Sequence, residues 1–402
     1  MNYKYRGNEV KAIICVVLSV IACASHSQVT GSEQAPIYIG FDGAYGQKTN
    51  TAPQAIEAGM IVAINEINQA GGVLNGRPLK LIKTDNKGVT ARGKDNFIEL
   101  SQQKDIVAVL GGKYSPISVE TLPEAHRLKL PLISVWGSAD QITDHSYKPS
   151  YSFRVSLKDE WGVEAMIERI AKKYKAKNAC AFFPSTSWGR SADNVIKSKS
   201  SAYGVNFSAI RWYNWGDSSF MQAYKECLDA GGQALMFVGN EKEGAILFKE
   251  IAAMPANKRL PIVSHWGVSG GAIHELVGND LGKIQVDIIQ TFSFINNNRP
   301  KAKYLAEQVK KNNKLESNAD ILSPVGVAQA YDAVHLLALA IQKAKSSNRE
   351  QIRNALEELP EYKGAIRDYA PAFTKENHDA LSKKNVIFVS IGRNGTLVPI
   401  EQ

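Results

Sequence analysis

A chain of 402 residues with 44% hydrophobic and 22% charged residues has the make-up of a folded globular protein. Its length exceeds one typical domain core, which favours two lobes and excludes a disordered or fibrous chain. The formal charge is +9, but the lysines are spread along helix surfaces without an arginine-rich arm, a zinc finger or an aromatic nucleic-acid signature, so nucleic acid is not the expected partner.

In chain order, Lys4, Arg6 and Lys11 precede an apolar run over 12–22, and the small residues Ala22, Cys23, Ala24 and Ser25 follow it. The run is too short to span a bilayer, and the pattern predicts a secretory signal peptide over 1–27. Cys23 also permits a second cleavage mode in which it becomes a lipidated first residue.

Residues 37–41 read as a buried strand and 42–46 as a Gly-containing loop. A helix follows, with Thr51 as N-cap and Ile56, Met60, Ala63, Ile64 and Ile67 on one face. Gly71 and Gly72 supply a left-handed stop, and 79–82 start the next strand. Apolar strands at 106–110 and 130–135 flank a helix ending near 128, and a linker is expected at 147–153. Helices at 159–174, 190–202, 218–230 and 243–254 then alternate with strands at 179–183, 205–210, 234–238 and 261–264. This rhythm predicts parallel βαβ architecture in two doubly wound α/β lobes. Ser323 and Pro324 should cap a long apolar helix over 325–344. Cys180 and Cys227 fall in apolar contexts and are expected as small buried hydrophobes rather than a bridge.

The opening order of strand, glycine loop, helix, Gly-Gly and second strand resembles the periplasmic leucine/isoleucine/valine-type solute-binding proteins of ABC transporters. So does the late Tyr331-Asp332-Ala333-Val334 helix. The resemblance runs from about residue 37 to the end. It implies a type I periplasmic-binding fold whose lobes, 36–152 plus 292–365 and 153–291 plus 366–402, are joined by a three-strand hinge that closes on ligand. It also implies a periplasmic monomer whose partners are a small-molecule ligand and a membrane permease. No cofactor, no nucleic acid and no membrane contact is expected, beyond the permease or a lipid on Cys23. Two alternatives stay open: a branched-chain or other amino-acid binder, and a ligand sensor for a signalling receptor.

Ligands of open parallel sheets bind beyond the carboxyl ends of the strands, so the loops after strands carry the candidates. After the first strand these are Asp42 and Tyr45, and after the third Tyr114 and Ser115, where free backbone N–H groups and a hydroxyl suit a carboxylate. After the fourth come Trp136, Gly137 and Ser138. In the second lobe the matching positions are Trp161, Trp188, Glu241 and Trp266. Amino-acid binders of the resembled family often place a Glu for the ligand ammonium where Trp266 stands. Four tryptophans at cleft loops point to an aromatic or apolar carboxylate-bearing ligand, with a quaternary ammonium as the alternative. Asp42, Asp140 and Glu241 are the remaining acceptors for an ammonium.

Gly267-Val268-Ser269-Gly270-Gly271 fits a nucleophile-elbow pattern. A hydrolase would also need a late histidine, and only His335 and His378 are available. With no HExxH, CxxC or phosphate-binding loop, neither an enzyme nor a metal is expected.

Overall fold

The computed structural model describes residues 34–392 and 394–401. The expected signal peptide and Cys23 therefore lie outside the described residues.

Two sheets organise the chain. The first has the order β2-β1-β3-β4-β5 and is parallel throughout: β1 (Ile37–Gly43), β2 (Leu79–Asp85), β3 (Ile106–Gly111), β4 (Leu132–Ser134) and β5 (Ser152–Arg154). Helices α1 (Ala52–Gln69), α2 (Thr90–Ser101) and α3 (Ser115–Arg127) connect its strands. After α4 (Asp159–Lys172) the chain builds the second sheet from β6 (Asn178–Pro184), β7 (Asn206–Tyr213), β8 (Ala234–Phe237), β9 (Ile262–Ser264) and β10 (Val286–Gln290). Helices α5 (Ser187–Lys199), α6 (Met221–Asp229), α7 (Glu241–Ala253) and α8 (Ile273–Val277) join them. The chain then returns to the first sheet's side with α9 (Pro300–Asn313), α10 (Pro324–Ala344) and α11 (Arg349–Leu356), α9 and α10 packing on α1. A short hairpin of β11 (Tyr362–Lys363) and β12 (Asp368–Tyr369) precedes β13 (Ile387–Ile391) and β14 (Leu397–Ile400).

The two expected doubly wound α/β lobes are thus present, with one refinement. The second sheet runs β14-β13-β10-β9-β8-β6-β7, and its β13–β14 edge is antiparallel. That edge is made by the chain's tail, which folds back as a hairpin, and a hairpin can only pair antiparallel. On the first sheet β5 reaches Arg154, two residues past the expected boundary.

The local signals act as their chemistry dictates. Gly71 and Gly72 have φ of +101° and +73°, and the Gly72 N–H reaches the Ile67 carbonyl at 2.9 Å, closing α1 in a left-handed turn that disfavours residues with a side chain. The apolar α10 is long enough to cross a membrane, yet it is buried almost all round against α1 and α11, as the central helix of a lobe must be.

Two expected caps differ. The Thr51 hydroxyl meets the Ser323 hydroxyl at 2.8 Å, and Ser323 reaches the Ser269 carbonyl at 3.2 Å, so neither side chain caps its own helix. Both are taken up where the start of α1, the start of α10 and the loop after β9 meet. The cysteine expectation is corrected outright: Cys180 on β6 and Cys227 on α6 form a disulfide with a Cα–Cα distance of 5.9 Å. Strand and helix lie side by side in one apolar cluster, which brings the two thiols together.

Candidate functional site

Loops at the carboxyl ends of the two sheets meet, and they carry the candidate site residues. The first of them turns inward. Asp42 is buried, and its carboxylate accepts Thr84 Oγ1 at 2.8 Å, Asn86 Nδ2 at 2.8 Å and Asn96 Nδ2 at 2.7 Å. Burial raises its pKa while these donors lower it. Asp42 is a peg for its own loop, with its oxygens already occupied. Tyr45 donates to Glu57 at 2.9 Å and lies beneath the Lys83 ammonium, so its hydroxyl is directed to α1.

The loop after β3 reaches across. Lys113 pairs with Glu241 at the start of α7, and Thr49 Oγ1 donates to the same carboxylate at 3.2 Å. Both side chains of the pair are 2% exposed. Next to it Tyr114 donates to Gln47 and sets its ring edge-on to Trp215, centroids 5.4 Å apart. Further tethers join the two sides: Thr51 N–H to the Gly270 carbonyl at 2.9 Å, and Asp140 N–H to Ser191 Oγ at 3.0 Å. Burial and the neighbouring Asp159 push the Asp140 carboxyl up to about 6.

Ser115 stands at the first residue of α3, where its Oγ accepts the N–H groups of Ser138 and Ala139 at 3.0 and 3.2 Å. The Ser115 hydroxyl, expected to suit a ligand carboxylate, is thus engaged with these two N–H groups. The Gly137 carbonyl accepts Ser134 and Ser156 at 3.0 and 2.7 Å, and that of Ser138 accepts Asp159 N–H and Arg154 Nη1 at 2.9 and 2.7 Å. Gly137 and Ser138 thus form a braced segment, buried between the sheets.

Three of the four tryptophans are almost fully buried here. Trp136 is 1% exposed, and its ring packs against Gly326 and Ile56. Trp188 and Trp266 set their rings edge-on to His265, at 5.0 and 5.1 Å, and His265 Nε2 lies 3.1 Å from Asp159 Oδ1. Trp161, on α4, is only half-buried under the Lys158 ammonium and is not part of this ring cluster. Among the described residues nothing pairs with the indole N–H of Trp136, Trp188 or Trp215, with His265 Nδ1, or with Asp159 Oδ2. Buried polar atoms are nearly always hydrogen-bonded, so these atoms are open to a partner that the protein itself does not supply.

Sequence reasoning passed over Lys113, Thr49, Asp159, His265 and Trp215. Lys113 and His265 were legible as polar residues in loops following strands, whereas Trp215 has no signal beyond its residue type.

The nucleophile-elbow pattern does not assemble. Ser269 Oγ donates to the Trp266 carbonyl at 2.7 Å and accepts Gln290 Nε2 at 2.7 Å, while His335 pairs with Glu66 and His378 with Ser152 and Glu357. No imidazole contacts Ser269 among the described residues, so it lacks a general base.

A family model described as periplasmic binding protein matches residues 36–395. The chain belongs to that family. A curated relative, the leucine-, isoleucine-, valine-, threonine- and alanine-binding protein of Pseudomonas aeruginosa, is 24% identical over 302 residues, covering 74% of this chain and 76% of the relative. Among solved structures, a type 1 periplasmic binding protein from Bordetella pertussis superposes with TM-score 0.81 at 21% identity, covering 91% of this chain and all of that one. The isoleucine complex of a branched-chain amino acid transporter substrate binding protein from Streptococcus pneumoniae gives 0.76 at 20% identity, with coverage of 91% and 100%. A benzoate complex of an ABC transporter solute-binding protein from R. palustris gives 0.77 at 16% identity, with coverage of 91% and 96%. These likenesses fix the two-lobed fold, and the family fixes the general role as ligand binding.

Proposed function

We propose that the chain is the solute-capturing component of an ABC importer, acting in the periplasm as a monomer by closing its lobes, about 36–152 plus 292–365 and 153–291 plus 366–402, on one small ligand. The observation that carries this is the burial, at the junction of the two sheets, of three tryptophans together with indole N–H, imidazole and carboxylate atoms that nothing in the protein satisfies. Rings supply an apolar wall and the unsatisfied atoms supply the polar anchors, which is how small-ligand sites are built. The ligand is a carboxylate-bearing molecule with an aromatic or apolar body, held in part by Trp188 and Trp266. No chemistry is performed on it, and the closed form docks on a membrane permease.

Support for the ligand class comes from two directions. Relatives named for branched-chain amino acids and for benzoate share the fold, and the tryptophans favour a flat or bulky body. Thermal shift with amino acids, aromatic acids, amides and quaternary amines tests the reading, because a ligand that binds only the folded form raises the melting temperature. A carboxylate with an aromatic body should give the largest shift. The largest shift from leucine, isoleucine or valine would move the assignment to the branched-chain class, and ester hydrolysis lost in Ser269→Ala would defeat the binding-only role.

A further inference from the structure

The two lobes grip one another through the protein's own groups. From the first lobe Lys113 pairs with Glu241 at the start of α7, each side chain 2% exposed, and Thr49 donates to the same carboxylate. Thr51 N–H reaches the Gly270 carbonyl at 2.9 Å, Asn50 and Gly271 form an antiparallel bridge, and the Ser323 hydroxyl reaches the Ser269 carbonyl at 3.2 Å. A buried ion pair does little more than offset its own desolvation, so Lys113 and Glu241 alone would not decide how the lobes sit. Two glycines carry more of the argument. Neither Gly270 nor Gly271 has a left-handed backbone, so conformation does not call for glycine at either. A Cβ on Gly271 would instead run into the Thr49 carbonyl oxygen of the opposite lobe, and one on Gly270 would stand 2.6 Å from Lys113 Cε. The missing side chains make room for neighbours that are there only when the lobes are together.

We infer that Gly271, Thr49 and the Lys113–Glu241 pair form a clamp that holds the lobes together in the unliganded protein, so that capture begins with opening. This rests on the reading that the cleft is the ligand site, and adds to it the state in which the protein waits. Every contact of the clamp is complete within the chain, so closure needs no guest. A solute enters only the fraction of molecules that has opened, and its apparent affinity is lowered by that fraction. Lys113 is the sensitive member. Without it, Glu241 stays buried beside the buried Glu243 in the closed form but is solvated in the open one, which favours opening.

Small-angle scattering and amide exchange test this on the purified protein, unfolded and refolded to strip any bound solute and measured with nothing added. Wild type should scatter as the closed lobes do. Lys113→Met and Gly271→Ala should each scatter as a more extended particle, because each moves the closed-to-open ratio about tenfold or more toward open. The Thr51 amide, held across the lobes, should exchange about tenfold or more slowly in wild type than in either variant. The Ala52 amide, held within its own lobe by Asn50 Oδ1 at 3.1 Å, should exchange alike in all three, which separates opening from a defect in α1. Wild type that scatters with parted lobes overturns the clamp, and decides alone should either variant fail to fold. Variants that scatter as wild type, or a Thr51 amide that exchanges equally fast in all three, also overturn it. No ligand enters these measurements, so such a result leaves the solute-binding role to be judged by the thermal-shift panel.

Discussion

Arg154 and Asp379 meet at 2.6 Å, guanidinium to carboxylate, and so tie the segment where the chain leaves the first sheet to the segment that leads into its final strands. Around the ion pair the backbones also join, with Arg154 N–H to the His378 carbonyl and Ala380 N–H to the Arg154 carbonyl, both at 2.9 Å. Arg154 is fully buried and donates further to the carbonyls of Ser138 and Ala139 at 2.7 and 2.9 Å. One guanidinium thus couples two passages of the chain to the loop that carries Trp136.

Asp379→Ala should therefore cost about 3 kcal/mol or more of folding stability, because it leaves a buried guanidinium without its counter-charge. Urea unfolding measures the loss. A change below about 0.5 kcal/mol, the size expected of an ordinary surface substitution, would show that Arg154 is satisfied by carbonyls alone.

Cys180 and Cys227 are separated by 47 residues, and closing a loop of that length removes about 4 kcal/mol worth of unfolded-chain entropy. The Cys180→Ala/Cys227→Ala variant should unfold at clearly lower urea than the wild type under oxidising conditions and match wild type treated with reductant. The bridge lies in a cluster on the second sheet that does not include Trp136, Trp188 or Trp266, so affinity for ligand should change little. Equal stability of oxidised and reduced wild type would count against the bridge.

Asp332, fully buried on α10, accepts the N–H groups of Ala365 and Ile366 at 2.7 and 3.0 Å and the Tyr369 hydroxyl at 2.8 Å. Burial outweighs these donors and lifts its carboxyl from 3.8 to about 6. The folded protein thus binds a proton that the unfolded chain has already released, and stability falls as pH rises from about 4 to 6, at up to about 1.4 kcal/mol per pH unit. Asp332→Asn removes that slope. Urea titrations at pH 5 and pH 7.5 should show the wild type losing more stability than the variant between the two. Parallel losses would place the titration elsewhere, Asp140 being the other carboxyl raised to about 6.

Ligand capture should alter tryptophan emission, since the indole N–H groups of Trp136 and Trp188 have no protein partner and would be completed by the ligand in the function proposed above. Trp266→Ala should weaken an aromatic ligand about fivefold or more, the loss of roughly 1 kcal/mol expected for one ring contact. A tight ligand that leaves emission unchanged in intensity and wavelength would place these rings outside the site.

What could be read ahead of the structure divides by range. The strands and helices read up to residue 264, the long helix at 325–344 and the Gly71–Gly72 stop follow from patterns a few residues long and stand close to where the patterns put them, whereas β5 occupies the end of the expected linker and β10, β13, β14, α9 and α11 were not read. Thr51 and Ser323 look like caps on the same local evidence, yet their hydroxyls serve each other across 272 positions of chain. The partner of Lys113 lies 128 residues away on the other lobe, and that of Cys180 on a helix whose seat depends on the finished sheet. Asp42 shows the reverse case: a carboxylate at a strand end, apt for a ligand, is consumed by Thr84, Asn86 and Asn96, which reach it only once β2 and α2 are in place.

The seat of Trp136 against α10 has one more consequence. A methyl group on Gly326 would stand 2.7 Å from the indole Cζ3, so the absent side chain is what lets the ring lie back against the helix. Residue 326 thus sets, from behind, how far the indole can retreat towards α10. Alanine there would drive the indole off its seat without altering any polar group, so a single methyl behind the wall should reshape the face that the proposed ligand meets.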